Sequence, residues 1–248
     1  MKLLVALFTA LAASASAETL RIATGGHYPP YISDPATPQA TGLDKDLLDE
    51  ICARGGYDCV WVDLPMGDIF QALARGDVDV VTGGFGYSVE RDALVDFTCP
   101  YVTRGDGTGH FIAAREDVDL ITARIAALEQ SLYQASMEQA QRDVRAYATE
   151  DAALDALISG DVDVVFGSHN MLDMARGRGG LFDLGEYPTF SRGTVLGVAE
   201  TAPALRVTLD ALLADISADG TLSQMHLRWL GEDLGDVISR CTSIDALT

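Results

Sequence analysis

The chain has 248 residues, of which 48% are hydrophobic and 22% charged, and this balance excludes a disordered chain and a multi-pass membrane protein. It carries 17 Lys and Arg against 37 Asp and Glu, a formal net charge of −20. Because so acidic a surface repels phosphate backbones and anionic lipid, nucleic-acid binding and electrostatic membrane docking are disfavoured.

The first 17 residues have the pattern of a secretory signal peptide. Lys2 gives a positive start, residues 3–13 form an apolar run, and residues 15–17 read Ala-Ser-Ala, a small-x-small cleavage pattern. The apolar run is too short to span a bilayer. We therefore predict a signal peptide over residues 1–17 and a soluble mature protein, exported to the periplasm without a lipid anchor.

The four cysteines of an exported chain predict two disulfide bonds, because export places them in an oxidising compartment. Cys52 and Cys59 lie close in sequence, at the end of a predicted helix and the start of a predicted strand, which favours a local bond. That bond would leave Cys99 to pair with Cys241. Four cysteines allow three pairings, so the alternatives stay open. No spacing of cysteines or histidines resembles a metal site, and we expect no metal or cofactor.

Residues 72–83 and 156–167 share one pattern, offset by 84 residues (156 − 72). Each copy reads as a helix ending at glycine, a Gly-Asp turn, a valine-rich buried strand and a second glycine. The repeat indicates two similar α/β lobes, although two unrelated units could share a favourable turn. Further strands at residues 20–23 and 60–62, alternating with helices, predict a mainly parallel sheet with helices on both faces.

Ligands of such sheets bind at the carboxyl ends of the strands, and Arg91 lies in one of these regions. Ser88 is the predicted N-cap of the next helix, so Arg91 falls in the first turn, where the helix dipole disfavours a cation. A carboxylate ligand shared by Arg91 and the helix N–H groups explains this position. The alternative is an ion pair with Glu90 or Asp92 on a solvated face.

Catalytic motifs are not found. The chain has no G-x-S-x-G elbow, no Walker loop and no G-x-G-x-x-G, and glycine-rich residues 105–109 lack the strand and lysine of a phosphate loop. The paired aspartates 77/79 and 161/163 are interpreted as turn residues. We predict no catalytic residue.

Eight segments together resemble a known family in order and spacing: residues 20–24, 28–31, 42–47, 76–79, 88–91, 95–101, 218–222 and 228–231. They resemble the polar amino-acid family of periplasmic solute-binding proteins, the receptors of ABC importers (bacterial extracellular solute-binding protein family 3). The resemblance implies an α/β fold of type II, with two Rossmann-like lobes joined by a two-strand hinge that closes on ligand. Lobe 1 would comprise residues 18–107 and 195–248, and lobe 2 residues 108–194, with crossings near 101–111 and 190–198.

The resemblance also implies a ligand site. Arg91 matches the arginine that clamps the ligand α-carboxylate, and Tyr28 matches an aromatic residue that packs on the ligand side chain. Gly84 and Gly86 match loop positions that contribute backbone contacts, although the family often has serine there. Met66 stands where an aromatic residue usually forms the opposite wall, and gives a softer surface.

Lobe 2 departs from the family pattern. Ser131 alone remains of a turn that should hold the carboxylate, and Ser168 replaces the aspartate that pairs with the ligand α-ammonium. Gly25 replaces the acid that reads basic side chains, so Lys, Arg and ornithine are disfavoured as ligands. The residues that could hold the ammonium instead are His169, Asn170 and Glu129.

These observations predict a monomeric, non-enzymatic receptor that captures a polar or neutral amino acid and delivers it to the membrane permease of an ABC importer. A second interpretation is a carboxylate ligand without an α-amino group, such as a keto, hydroxy or dicarboxylic acid. A third is an enzyme resembling cyclohexadienyl dehydratase, whose acid would be Glu129.

Overall fold

The computed structural model describes residues 17–87, 89–103, 107–189, 191 and 193–240. The predicted signal peptide, apart from Ala17, lies outside the described residues, as do the predicted N-cap Ser88 and Cys241 of the second predicted disulfide. Among the described residues, no helix has both the length and the apolar character needed to cross a membrane.

Strands and helices alternate through most of the chain. The strands are β1 (Glu18–Thr24), β2 (Tyr57–Asp63), β3 (Val80–Thr82), β4 (Asp96–Phe97), β5 (Thr108–Ala113), β6 (Ile125–Leu128), β7 (Val144–Tyr147), β8 (Val164–Gly167), β9 (Phe182–Pro188) and β10 (Gly197–Val198). The helices are α1 (Leu43–Gly55), α2 (Met66–Ala74), α3 (Val89–Asp92), α4 (Leu132–Gln139), α5 (Glu150–Ser159), α6 (His169–Arg178), α7 (Pro203–Ala218) and α8 (Thr221–Leu230).

The strands form two five-stranded sheets, in the orders β2-β1-β3-β10-β4 and β7-β6-β8-β5-β9. In each sheet two strand pairs are parallel and two are antiparallel. The prediction of a mainly parallel sheet was therefore wrong. The reason is that β10 and β5 each enter their sheet from a segment that crosses between the lobes, and so run against their neighbours.

Two adjacent segments connect the sheets, one after β4 and one after β9. Thr194 N donates to Val102 O (2.8 Å), and Thr189 N donates to Gly107 O (2.6 Å). The molecule thus has the predicted type II architecture, with two α/β lobes joined by two neighbouring crossings. We propose the lobe boundaries at residues 18–107 with 195–248 and at 108–194, with β5 beginning before the predicted end of the first crossing.

Helix α1 shows how the sequence builds lobe 1. Its apolar side chains recur at helical spacing and are fully buried against α7 and α8. The helix ends at Gly56, which takes the left-handed conformation (φ 69°) that glycine adopts without strain. Across this turn, Cys52 of α1 is bonded to Cys59 of β2, which confirms the predicted local disulfide.

The two copies of the repeat take the same turn, one in each sheet. In the first, Arg21 Nε donates to Asp79 Oδ2 (2.9 Å), and Nη1 donates to the carbonyl of the preceding turn aspartate (2.8 Å). In the second, Arg124 Nε donates to Asp163 Oδ2 (2.9 Å), and Nη1 again reaches the preceding turn aspartate (2.9 Å). Each arginine thereby fastens the helix-to-strand turn to the neighbouring strand.

Candidate ligand-binding site

A cavity of about 630 Å³ lies between the lobes. From lobe 1 it is lined by the loops that follow β1, β2 and β3, and from lobe 2 by the starts of α4 and α5. This is the position expected for a ligand of an α/β sheet, at the carboxyl ends of the strands. We call it the ligand cavity. Six of the seven predicted ligand-binding residues lie on its wall: Tyr28, Met66, Gly84, Gly86, Arg91 and Ser131.

Arg91 is a buried cation on the cavity wall, with only 8% of its surface exposed. Its Nη1 donates to Gly86 O (3.0 Å), and its Nη2 donates to Gln130 O of lobe 2 (2.8 Å). The guanidinium also lies over the rings of Phe70 and Phe85, at 5.1 and 5.5 Å from their centroids. These contacts hold a positive charge at the cavity of an acidic protein.

The glycine loop after β3 is held by Asp44 of α1, which is completely buried. Asp44 Oδ2 accepts hydrogen bonds from Gly83 N (2.8 Å), Gly84 N (2.9 Å) and Thr82 Oγ1 (2.6 Å), while Tyr101 OH donates to Oδ1 (2.6 Å). Burial raises the pKa of Asp44, and the hydrogen bonds oppose that rise. Asp44 lies in one of the segments that resemble the family (residues 42–47), but its sequence context did not indicate this supporting role.

The two predicted glycine positions of this loop are tightly packed. Gly84 has φ +68°, and a Cβ there would meet the rings of Tyr31 and Tyr28 at 2.6 and 2.8 Å. A Cβ at Gly86 would collide with Leu132 of lobe 2. A side chain at either position would therefore have to displace these neighbours.

Tyr28 forms part of the wall together with Tyr133, which sequence reasoning missed. The two hydroxyl groups are 3.3 Å apart, across the boundary between the lobes. Tyr28 also stacks on Tyr31, with the ring centroids 5.9 Å apart. Burial raises the pKa of Tyr133 to about 12, so both hydroxyls keep their protons at neutral pH and can donate hydrogen bonds.

Ser131 is the N-cap of α4 and lies on the wall close to Arg91. Its Oγ accepts from Gln134 N (3.2 Å) and donates to Leu128 O (2.6 Å). Both bonds hold the start of α4 in place. The positive end of this helix therefore adds to the field of the guanidinium on the same side of the cavity.

Ser168, the seventh predicted residue, lies behind the wall and is 1% exposed. It caps α6 by accepting from Met171 N, and its Oγ donates to Glu150 Oε1, both at 3.1 Å. Glu150 is the first residue of α5 and is itself on the wall. Burial raises the pKa of Glu150. Acids are common in the first turn of a helix because the helix dipole stabilises a negative charge there. The sequence therefore offered no reason to select Glu150 as a ligand-binding residue.

The three residues predicted to substitute for the missing aspartate lie off this wall. His169 Nε2 and Asn170 Nδ2 each donate to Pro29 O of the opposite lobe at 3.1 Å. The carboxylate of Glu129 packs against Gly67 of α2. All three bridge or abut the other lobe. In the described part of the chain, no group of three or more His, Cys, Asp or Glu could hold a metal ion.

Known proteins resemble this chain over most of its length. The chain is 27% identical to the arginine-binding periplasmic protein of Mannheimia haemolytica over 214 residues, which are 82% of this chain and 88% of that protein. It is 25% identical to the putative ABC transporter arginine-binding protein 2 of Escherichia coli K12, covering 92% and 97% of the two chains.

Among solved structures, a periplasmic His/Glu/Gln/Arg/opine family-binding protein from Silicibacter pomeroyi in complex with lysine matches with a TM-score of 0.74 and 29% identity. The match covers 87% of this chain and 98% of that chain. The family model for bacterial extracellular solute-binding proteins, family 3, matches residues 20–232. With the two-lobed fold and the interlobe cavity, this match shows that the chain belongs to the family 3 extracellular solute-binding proteins.

Proposed function

We propose that the protein is a periplasmic receptor that captures one amino acid in the ligand cavity by closing its two lobes, and delivers it to the permease of an ABC importer. The observation that carries the proposal is Arg91, a buried cation on the cavity wall of a chain with a net charge of −20. The receptor acts as a monomer and is exported through the signal peptide over residues 1–17.

The carboxylate of the ligand binds at Arg91 and the N-terminus of α4. The planar guanidinium suits a carboxylate because two parallel N–H groups can meet its two oxygens. The α4 N-terminus, capped by Ser131, lies on the same wall and offers backbone N–H groups. Helix and arginine come from different lobes, so a bound carboxylate favours the closed arrangement.

The ligand side chain lies between Tyr28 and an apolar wall that includes Met66, Leu128 and Met174. Two exposed carboxylates, Asp63 and Asp151, stand at the rim of the same cavity. The prediction against basic amino acids relied on Gly25 and remains a prediction, since these rim acids could meet a basic side chain. Several relatives carry names that include arginine, histidine or lysine, so basic amino acids belong in the ligand screen.

The test is a thermal-shift screen of the purified mature protein against the amino acids and their matched keto and hydroxy acids. A ligand at 100 times its dissociation constant should stabilise the protein by roughly 2.7 kcal/mol. Arg91→Ala should weaken binding by about 100-fold, because the carboxylate loses a charge-assisted bidentate partner. The matched control is Arg75→Ala, since Arg75 is exposed and paired with Asp77 outside the cavity. Equal affinity of Arg91→Ala and wild type would refute the carboxylate clamp.

The catalytic alternative requires an acid in the cavity. Glu129 is off the wall, which leaves Glu150 as the half-buried acid available for such a role. Incubation with prephenate and arogenate, followed by chromatography of the products, separates the two functions. We expect no product, and measurable turnover lost in Glu150→Gln would replace the receptor proposal with an enzymatic one.

A further inference from the structure

We propose that Glu150 binds the α-ammonium group of the ligand, with Ser168 as its positioning residue, so that the receptor selects α-amino acids over the corresponding keto and hydroxy acids. This inference rests on the proposed function and identifies the chemical class of its ligand. Position 168, where the resemblance predicts an acid for the ammonium group, is a serine. We infer that the carboxylate is supplied instead by Glu150, the first residue of α5.

Both residues lie at the starts of helices. Glu150 directly follows Thr149, the N-cap of α5, whose side chain accepts from Ala152 N. Ser168 is the N-cap of α6 and is buried. The Ser168 hydroxyl donates to Glu150 Oε1 at 3.1 Å, so the serine side chain holds the carboxylate next to position 168.

The charges around the cavity single out Glu150 among its acids. Asp151, the next residue, is exposed and is paired with Arg178 of α6. Asp63 is exposed at the rim. Glu150 is half-buried, and none of the ion pairs between described residues involves it. An ionised carboxylate in such a place is costly unless a cation offsets the lost hydration. A ligand ammonium supplies that cation.

Arg91 and Glu150 also come from opposite lobes and line the same cavity. A zwitterionic ligand can therefore pair its carboxylate with Arg91 and its ammonium with Glu150. A keto or hydroxy acid offers only the first of these contacts and leaves the Glu150 carboxylate without a cation. The ammonium contact thus adds to the closure that the carboxylate already favours.

The experiment transfers the carboxylate from position 150 to position 168. Dissociation constants are measured by calorimetry for the best amino acid of the screen and for its keto analogue, with wild type, Glu150→Gln and the double variant Glu150→Gln/Ser168→Asp. Aspartate is as good an N-cap as serine, so the double variant preserves the start of α6. The matched control is Asp155→Asn, which removes an exposed acid of the same helix that pairs with Arg178 and lies outside the cavity.

We expect Glu150→Gln to bind the amino acid about 100-fold more weakly and the keto acid within about threefold of wild type. The double variant should regain most of the lost affinity, and Asp155→Asn should change the wild-type affinity by less than about threefold. A merely structural role of Glu150 would weaken both ligands equally and would not be rescued by Ser168→Asp.

Unchanged amino-acid affinity in Glu150→Gln would overturn the inference and leave the receptor function standing. Tighter binding of the keto acid by the wild type would overturn it as well. If no carboxylate of either class binds to the wild-type protein, the proposed function itself fails. Far-ultraviolet circular dichroism of each variant, compared with wild type, establishes that the affinities are measured on folded protein.

Discussion

At the scale of single residues, the cavity depends on buried charges held by many hydrogen bonds. Arg91 is fixed by carbonyl groups of both lobes and by two aromatic rings. Asp44 is fixed by two backbone N–H groups of the glycine loop and two hydroxyls. Through Tyr101, Asp44 also joins the glycine loop to the first crossing between the lobes. A single carboxylate thereby sets the shape of one cavity wall.

Asp44→Ala should lower the free energy of unfolding by about 3 kcal/mol, because it leaves the buried donors of Gly83, Gly84, Thr82 and Tyr101 without an acceptor. Urea unfolding followed by circular dichroism measures the change. The control on the same helix is Asp49→Ala, whose side chain is exposed and pairs with Lys45. That change should stay within about 0.5 kcal/mol. Equal stability of the two variants would contradict a supporting role for Asp44.

The sequence identifies a site residue only when that residue breaks a local rule of helix or loop structure. Arg91 could be found because the sequence predicted it in the first turn of a helix, where a cation conflicts with the dipole, although α3 is a single turn and Arg91 lies near its end. Glu150 could not be found, because an acid in that turn satisfies the same rule and its direction depends on how α5 packs against α6. Tyr133 gave no signal either, since its role arises only when the lobes meet.

At the scale of elements, the arginine-fastened turns are the clearest relation between the two sheets. The repeat in the sequence predicted two similar units, and each copy occupies one sheet. The antiparallel pairing of β10 and β5 could not be predicted from the repeat, because the direction of these two strands is decided by the crossings between the lobes and not by their own residues. The local pattern determines the turn, while the sheet depends on distant parts of the chain.

Asp163→Ala tests one of these turns. The carboxylate accepts hydrogen bonds from Arg124, which lower the pKa of Asp163 to about 2. A lowered pKa stabilises the folded state above the unfolded value near 4, and this contribution is lost as the pH falls through about 2. At pH 7 we expect a loss of about 1 kcal/mol, kept small by solvent screening.

The measurement is thermal unfolding of Asp163→Ala and wild type between pH 7 and pH 2. The difference in stability should shrink toward zero at the acid end of this range. Asp161→Ala is the control, because the Asp161 side chain accepts only from the exposed Ser159 hydroxyl among the bonds described for it. A difference that stays constant with pH would show that the turn does not depend on the ionised carboxylate.

At the scale of the whole molecule, contacts across the cleft determine how the lobes meet. His169 and Asn170 of lobe 2 share the Pro29 carbonyl of lobe 1, and Gln130 Nε2 donates to Gly67 O at 2.8 Å. These bonds lie outside the ligand cavity. They can therefore favour closure without contacting the ligand.

Removing two of these bonds should weaken ligand binding from a distance. The double variant His169→Ala/Asn170→Ala loses two hydrogen bonds of about 1 kcal/mol each, which lowers the population of the closed form and raises the dissociation constant by about tenfold or more. Calorimetry with the best ligand of the screen measures the change. Asp173→Ala, an exposed position on the same helix paired with Arg176, serves as the control. An unchanged dissociation constant would rule out these contacts as determinants of closure.

The place of β10 in the first sheet has a consequence for the order of folding. Gly197 pairs with both Val81 and Phe97, so β10 lies between two strands that precede it by about 100 residues. The second sheet, in contrast, comes from one continuous stretch that ends at Pro188. As the chain lengthens, the second sheet can form first, whereas the first sheet waits for a strand that appears late. For a chain exported through an amino-terminal signal peptide, as proposed here, the first sheet cannot be completed until β10 has also been exported.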